Sequence, residues 1–330
     1  MLKLRYLFDN RNLALMLLSY WDFDLDKSEG LNIYRISANA VYTFYHNGQR
    51  CYLRFTPNEE KLPRMIQAEL DFLRYLRVNG YTAVETVLSK DGRETVNGET
   101  PWGKYNAVVF KEVSGQRLDR IEYSDGLYYG YGEMLGKLHH LSQKYTPAIE
   151  HPDWKQRLQW TLDVLKEYAA PETALNELSI LNSFFTTLPA DPNNYGLVHY
   201  DFEPDNIFYD EKTSQYSVID FDDAVVHWFS LDIEQALDSI KDELPEHKWE
   251  QAAKQFFSGY RSIKSTDEAI LFFMPVFRRY VDLFGYARCL RSLHEKWDNE
   301  PDWMIGLRVH LERRMDARSK CFGKEIVLTK

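Results

Sequence analysis

Between residues 30 and 60 the chain alternates apolar and polar positions with a period of two, the pattern of half-buried strands. Ile33–Ile36, Val41–Tyr45 and Cys51–Phe55 read as three strands. His46-Asn47-Gly48 between the last two is a strong hairpin signal, and Ser37–Ala40 is an equally short link between the first two. The expectation is an antiparallel meander. Ahead of it, Asp9-Asn10 can cap a helix reaching about Tyr20, with Leu13, Leu17 and Trp21 on one face, followed by the polar stretch Asp22–Gly30. Behind it the period changes to 3.6. Leu62–Val78 carries the stripe Met65, Ile66, Phe72, Leu73 and Leu76 and stops at Asn79-Gly80. Two more strand-like runs, Ala83–Leu88 and Ala107–Val113, flank the turn-rich Asp91–Gly103.

After Ser114-Gly115 the pattern becomes mostly helical. Tyr131–Ser142, Trp154–Ala169, Thr173–Phe185, Leu231–Ile240, Trp249–Ser262, Glu268–Leu293 with an interruption at Pro275, and Trp303–Arg318 all have helical spacing. The shift divides the chain into a strand-rich part over 1–111 and a larger, mainly helical part over 112–330, an α+β architecture in two lobes. One stretch of the second part breaks the helical run: LVHYDFEPDNIFYDEKTSQYSVIDFDDA, Leu197–Ala224. Short apolar pieces at Leu197-Val198, Ile207–Tyr209 and Tyr216–Ile219 alternate with polar loops that hold His199, Asp201 and Asn206, then Asp220, Asp222 and Asp223.

Composition narrows the partners. A formal charge of −10 argues against general affinity for nucleic acid or anionic membrane, and is compatible with a small or cationic ligand. Cys51, Cys289 and Cys321 are too far apart and too few for a disulfide framework or a zinc site, which fits a reducing cytoplasm. The apolar run Leu13–Leu18 is too short for a signal peptide, and no run reaches a membrane span.

Two strands that each deliver acids at their ends can hold carboxylates rigidly side by side. Phosphoryl transfer needs such a set: a metal ligand, a cation for the phosphates and a group that orients the incoming hydroxyl. Asp220 is the candidate metal carboxylate, Asn206 a second oxygen ligand, and Asp201 the residue facing the hydroxyl. His199 reads as a brace between the two loops more than as an acid or base. Arg54 on the third strand is the candidate phosphate cation. Glu69 lies inside an apolar helical stripe and so calls for a counter-charge, which Arg54 can supply. The plainer readings are an outward-facing Arg54 and a Glu69 reaching water from the stripe's edge.

With those residues in place, the chain resembles the aminoglycoside phosphotransferase/choline kinase-like family of small-molecule kinases over roughly residues 32–262. The resemblance rests on Tyr52-Leu53-Arg54, Glu69, Leu135-Gly136-Lys137-Leu138-His139, the run from His199-Tyr200-Asp201 to Asn206, and Ile219-Asp220-Phe221-Asp222. Trp228-Phe229, Asp232-Ile233 and Phe257–Arg261 are similar to its homoserine-kinase-like branch. It implies a two-lobed protein-kinase-like fold, with ATP or GTP as phosphoryl donor and Mg²⁺ held by Asn206 and Asp220. Asp201 would be catalytic, and Lys111, Glu112 and Val113 would form the hinge that meets the base.

The link Ser37–Ala40 lacks the glycines of a phosphate flap, so contact there would come from Ser37, Asn39 or nearby amides. Glu203, Asp205, Asp222, Asp223, Glu234 and Asp238 make an acidic mouth for an amine-bearing hydroxyl acceptor, or else cap helices and loops. Trp228, Tyr280, Phe284 and Tyr286 either cage a cation or belong to the core. The expectation is a phosphotransferase acting on a small hydroxyl compound such as an aminoglycoside, another antibiotic, an amino alcohol or a sugar. The rival is a non-catalytic nucleotide- or metabolite-binding regulator on the same fold. A protein kinase fits less well, since no A-P-E segment follows Phe221.

Overall fold

The computed structural model describes residues 1–24, 30–326 and 328; part of the polar stretch 22–30 therefore lies outside the described residues. After α1 (Arg11–Leu18), β1 (Asn32–Ile36), β2 (Ala40–His46) and β3 (Gln49–Pro57) form the expected antiparallel meander. Asn10 caps α1 by accepting the Leu13 N–H. Asn47 (φ 52°) and Gly48 (φ 75°) supply the left-handed pair that the β2–β3 hairpin turn needs. Then come α2 (Pro63–Val78), β4 (Thr86–Val87), β5 (Thr95–Thr100) and β6 (Gly103–Lys111). β6 pairs with β3 on one side and with both β4 and β5 on the other.

Alternation along these strands sets their two faces. Leu53, Phe55, Ala107 and Val109 pack with α1, whereas Val108 and Phe110 join the core that α2 enters. Arg54, paired in register with Val108, is therefore turned toward α2.

Two expectations need correction. The turn-rich segment Asp91–Gly103 contains a strand, β5, whose polar residues Asn97 and Glu99 face out while Val96 and Gly98 face in. Gly98 hides the alternation because it has no side chain to count. A Cβ there would meet Leu17 at 2.8 Å. The run Ala83–Leu88 shrinks to two strand residues, and Ala83 instead makes an isolated parallel bridge to Val218 of the central stretch.

The second lobe begins with β7 (Gln116–Arg117) and α3 (Asp125–Ser142), followed by α4 (Trp154–Glu167) and α5 (Glu172–Thr187). The central stretch then folds as β8 (Tyr195–Val198), β9 (Ile207–Asp210), β10 (Gln215–Val218) and β11 (Val225–Trp228). β10 pairs with β9 and β9 with β7, while β8 pairs with β11. The chain closes with α6 (Ser230–Glu243), α7 (Glu246–Ile263), α8 (Glu268–Leu271), α9 (Met274–Leu293) and α10 (Asp302–Arg318). The break expected near Pro275 falls at Phe272-Phe273, with the proline in the first turn of α9. No helix of the described residues is long and apolar enough to cross a membrane.

α3 and α7 touch backbone to backbone. A Cβ on Gly132 would lie 1.9 Å from the Phe256 carbonyl oxygen, and one on Gly259 would lie 1.8 Å from that of Tyr129. Neither helix can yield without moving the core it anchors. Gly259→Ala should lower unfolding stability by about 2–3 kcal/mol, read as an earlier urea midpoint. An unchanged midpoint would show that the helices separate freely.

Candidate active site

The site is built around a bend in the chain after β8. Asp232, at the start of α6 and fully buried, accepts the N–H groups of His199 and Tyr200, each at 2.8 Å. It also bonds His139 Nε2 at 3.1 Å, and His139 Nδ1 meets the Tyr260 hydroxyl at 2.9 Å. These bonds hold Tyr200 at φ 72°, a left-handed conformation that costs a non-glycine residue on the order of 1 kcal/mol or more. Asp220, at the corresponding bend after β10, has φ 64°.

His199 joins the two bends. Burial pushes its pKa down, so the ring is neutral: Nε2–H donates to the Ile219 carbonyl at 2.9 Å, and Nδ1 accepts the Asp201 N–H at 3.2 Å. Both ring nitrogens are committed to backbone. Asn206 donates its amide to the Asp201 carbonyl (2.9 Å) and carboxylate (3.0 Å), which leaves its side-chain oxygen free to face a cation.

Arg54 and Glu69 meet from β3 and α2 in a two-pronged pair at 2.8 and 2.5 Å, both residues being buried. Arg54 Nη1 also lies 4.0 Å from Asp220.

A slot between the lobes gathers most of the expected nucleotide residues. Val41, Val84 and Phe110 border it from the first lobe and Phe208 and Ile219 from the second. Ser37, Asn39, Arg54, Glu69, Asn206, Asp220 and Lys111–Val113 also line it, as do Asp205, Arg35 and Arg117. The Lys111 ammonium pairs with Glu85 at 2.6 Å. Asn39, expected against phosphates, donates instead to Asp222 at 2.7 Å and ties the 37–40 link to the second loop.

The acids separate into two classes. Asp222 is held well below the ordinary carboxylate range: burial pushes it up, but Lys61 (2.9 Å) and Arg54 outweigh that. Asp223 shifts down in the same way, because Arg288 at 2.6 Å offsets its burial. Asp201 and Asp220 are pushed well up, first by burial, then by neighbouring acids: Glu203 for Asp201 and Asp222 for Asp220. Glu203 is raised by burial and by Asp205, and Asp205 lies 3.9 Å from Arg117.

Among the described residues no three His, Cys, Asp or Glu side chains form a ready-made metal cage. The donor set of Asp220 and the Asn206 oxygen nevertheless suits Mg²⁺, which takes one or two protein oxygens and fills its shell with phosphates and water.

Glu234 and Asp238 lie on α6, both paired with Arg278 (2.7 and 2.9 Å), and border neither the slot nor the cavity beside the second loop. Trp228, Tyr280 and Tyr286 are core residues; only Phe284 borders that cavity. Helical spacing puts the tyrosines inside. Lys61, Arg157 and Arg288 escaped the sequence reading because their partners on the second loop are 161, 66 and 65 residues away.

The comparisons agree with this geometry. A family model described as "Phosphotransferase enzyme family" matches residues 36–271. The chain belongs to that family. The amicoumacin kinase of Bacillus subtilis (strain 168) is 25% identical over 299 residues, covering 84% of this chain and 85% of that protein. Among solved structures, amicoumacin kinase hAmiN in complex with AMP-PNP, Ca²⁺ and Ami aligns with TM-score 0.77 at 20% identity, over 98% of this chain and 97% of its own. A microcompartment-associated aminopropanol kinase aligns with TM-score 0.65, also at 20% identity, over 94% and 97%. The fold is thus the two-lobed, protein-kinase-like α+β fold, and the chain is a small-molecule phosphotransferase.

Glu234 provides a check on the electrostatics. Burial pushes its pKa from 4.5 to about 7, although Arg278 opposes the shift. The folded state therefore holds a proton that the unfolded state releases. The stability this gives is complete below pH 4.5 and is lost as pH rises through 7, on the order of 3 kcal/mol. Glu234→Gln cannot ionise, so its melting temperature should fall less than wild type's between pH 5 and 8. Parallel curves would assign the loss to another group.

Proposed function

We propose that this phosphotransferase moves the γ-phosphoryl group of a nucleoside triphosphate, ATP or GTP, to a hydroxyl of a small molecule with Mg²⁺ as cofactor. The observation that carries this reading is the buried Arg54–Glu69 pair lying against Asp220 at the end of an apolar slot. The likeness to a kinase solved with AMP-PNP and a divalent ion supports it. We also take residues 1–111 as the nucleotide lobe and 112–330 as the catalytic lobe, since the slot lies across that junction.

The base would lie between Val41, Val84 and Phe110 and the Phe208–Ile219 side. The N–H groups of Lys111 and Glu112 already bond Glu85 and Arg50, so the Glu112 carbonyl and the Val113 N–H are the hinge groups left to meet it. Arg54 faces the phosphates, and Glu69 fixes its planar fork. Asn206 and Asp220 would hold Mg²⁺, whose charge would neutralise the phosphate oxygens. Asp201, oriented by Asn206, takes the acceptor hydroxyl's hydrogen bond and then its proton. His199 fixes the distance between the Asp201 and Asp220 bends and takes no proton.

Asp201→Asn should cut kcat at least about a hundredfold while leaving nucleotide binding intact, and Asp220→Ala should remove transfer. Near-normal turnover in either folded variant would reject the assignment. The direct experiment incubates the protein with Mg-ATP or Mg-GTP and a panel of aminoglycosides, other antibiotics, amino alcohols, hydroxy amino acids and sugars. A gain of one phosphoryl mass on a panel compound identifies donor and acceptor together. Nucleotide binding without any transfer would favour the regulator.

A further inference from the structure

A second cavity, of about 250 Å³, lies on the other side of the Asp222-Asp223 loop, between the entrance of α2 and the helices α4 and α9. It adjoins both bends of the active site. Asp222 and Asp223 follow Asp220 directly, and Arg157 on its wall lies flat on Tyr200, the neighbour of Asp201, at 4.2 Å. Most charges on this wall already have partners. Lys61 is paired with Asp222, Arg288 with Asp223, Arg291 with Glu60, and Glu69 with Arg54.

Arg157 differs from them. It is 7% exposed and sandwiched between Tyr200 and Phe284, and its Nη2 donates to the backbone carbonyl of Asp223. No carboxylate of the described residues pairs with it, and its Nη1 has no partner. Three further polar atoms of the same wall are also buried and unpartnered: Glu60 Oε1, Thr56 Oγ1 and His151 Nε2. Buried polar groups are almost always satisfied, and an unmatched guanidinium N–H is among the costlier exceptions. The wall thus offers a planar cationic donor and, apart from it, a carboxylate oxygen with a spare lone pair. An unpaired arginine is unsuited to a polycation. It suits a flat oxygen acceptor.

We propose that this cavity receives a part of the acceptor that bears a carbonyl-type oxygen, carboxylate or amide, for Arg157, with an adjacent N–H group for Glu60. Arg157 is then a specificity-determining residue that selects amino alcohols carrying a carboxyl-derived group over amino alcohols without one. The inference rests on the kinase reading, because it takes the cavity's occupant to be the molecule whose hydroxyl faces Asp201.

Three compounds with one amino-alcohol skeleton test it: threonine, threoninamide and 1-amino-2-propanol. In the wild type, kcat/KM for threonine or threoninamide should exceed that for 1-amino-2-propanol by about tenfold or more, the span of one charge-assisted hydrogen bond. The better of the first two tells carboxylate from amide. Arg157→Lys, which keeps a charge but not the fork, should erase most of that margin by raising KM for the favoured compound. Its KM for ATP should stay near wild type.

Equal or reversed preference in the wild type overturns the proposal and shows these atoms to be merely hydrated. An Arg157→Lys enzyme that keeps the margin also overturns it. If no panel compound is phosphorylated at all, the kinase reading fails separately. The cavity is then tested by calorimetry of the three compounds on protein loaded with Mg-AMP-PNP, where equal affinities, or no binding, overturn the proposal.

Discussion

The carboxylate of Asp232 holds the bend on which the rest of the site depends. It lies at the start of α6, sealed from water, and it takes two consecutive backbone N–H groups from the far end of β8. A chain turning through a left-handed residue would otherwise leave those amides buried and unmatched, at about 1–3 kcal/mol each. Because the donors are backbone, the bond sets chain direction and is indifferent to the side chains it presents. His139 from α3 locks the carboxylate's rotation, and Tyr260 from α7 locks His139. Thus α3 and α7, whose packing against each other is fixed at Gly132 and Gly259, converge with α6 on one oxygen pair. The positions of Asp201 and, through His199, of Asp220 follow from that packing.

The second constraint is charge. Six acidic side chains crowd the two loops and their neighbourhood, and their repulsion must be managed in a partly buried setting. The fold does so unequally. Asp222 and Asp223 receive Lys61 and Arg288 and remain ionised. Among the described residues Asp201 has no basic partner, and Asp220 has only Arg54, 4.0 Å away and committed to Glu69. Burial therefore disfavours their charged forms until a cation arrives. The pairing separates acids that build the loops from acids free to act on a ligand.

Much of this was legible in the sequence, for a definable reason. The hairpin, the period-two strands and the helical stripe are local patterns, and an acid within the stripe predicts its own counter-charge, so Arg54 and Glu69 could be joined across fifteen residues. The loop motif gave Asp201, Asn206 and Asp220 by spacing alone. What lay hidden has no period. Lys61 precedes a helix like any surface lysine, and nothing near it names Asp222, 161 residues on. Arg157 and Arg288 occupy ordinary helical positions. β5 escaped because a glycine stands where an inward side chain would have marked the alternation. The aromatic residues were ambiguous between cage and core, and their burial resolved them: Trp228, Tyr280 and Tyr286 pack inward and Phe284 alone borders a cavity.

The formal charge illustrates how sequence totals mislead about a site. An excess of ten acids suggests a cationic ligand if they are assumed to face the cleft. In the folded chain Glu234 and Asp238 pair with Arg278 away from both cavities, and Glu60, Glu69, Asp222 and Asp223 each have a basic partner. The cavity beside the second loop is then described by its remainder: an Arg157 nitrogen and a Glu60 oxygen to spare, with Thr56 Oγ1 and His151 Nε2 beside them. Selectivity is decided by such remainders, since a paired charge costs a ligand the energy of breaking the pair, whereas an unpaired one is already desolvated and waiting. A site of this kind favours a molecule carrying both an oxygen acceptor and an N–H donor at fixed separation. A chain can therefore be acidic overall and still present an unpaired cation beside its site.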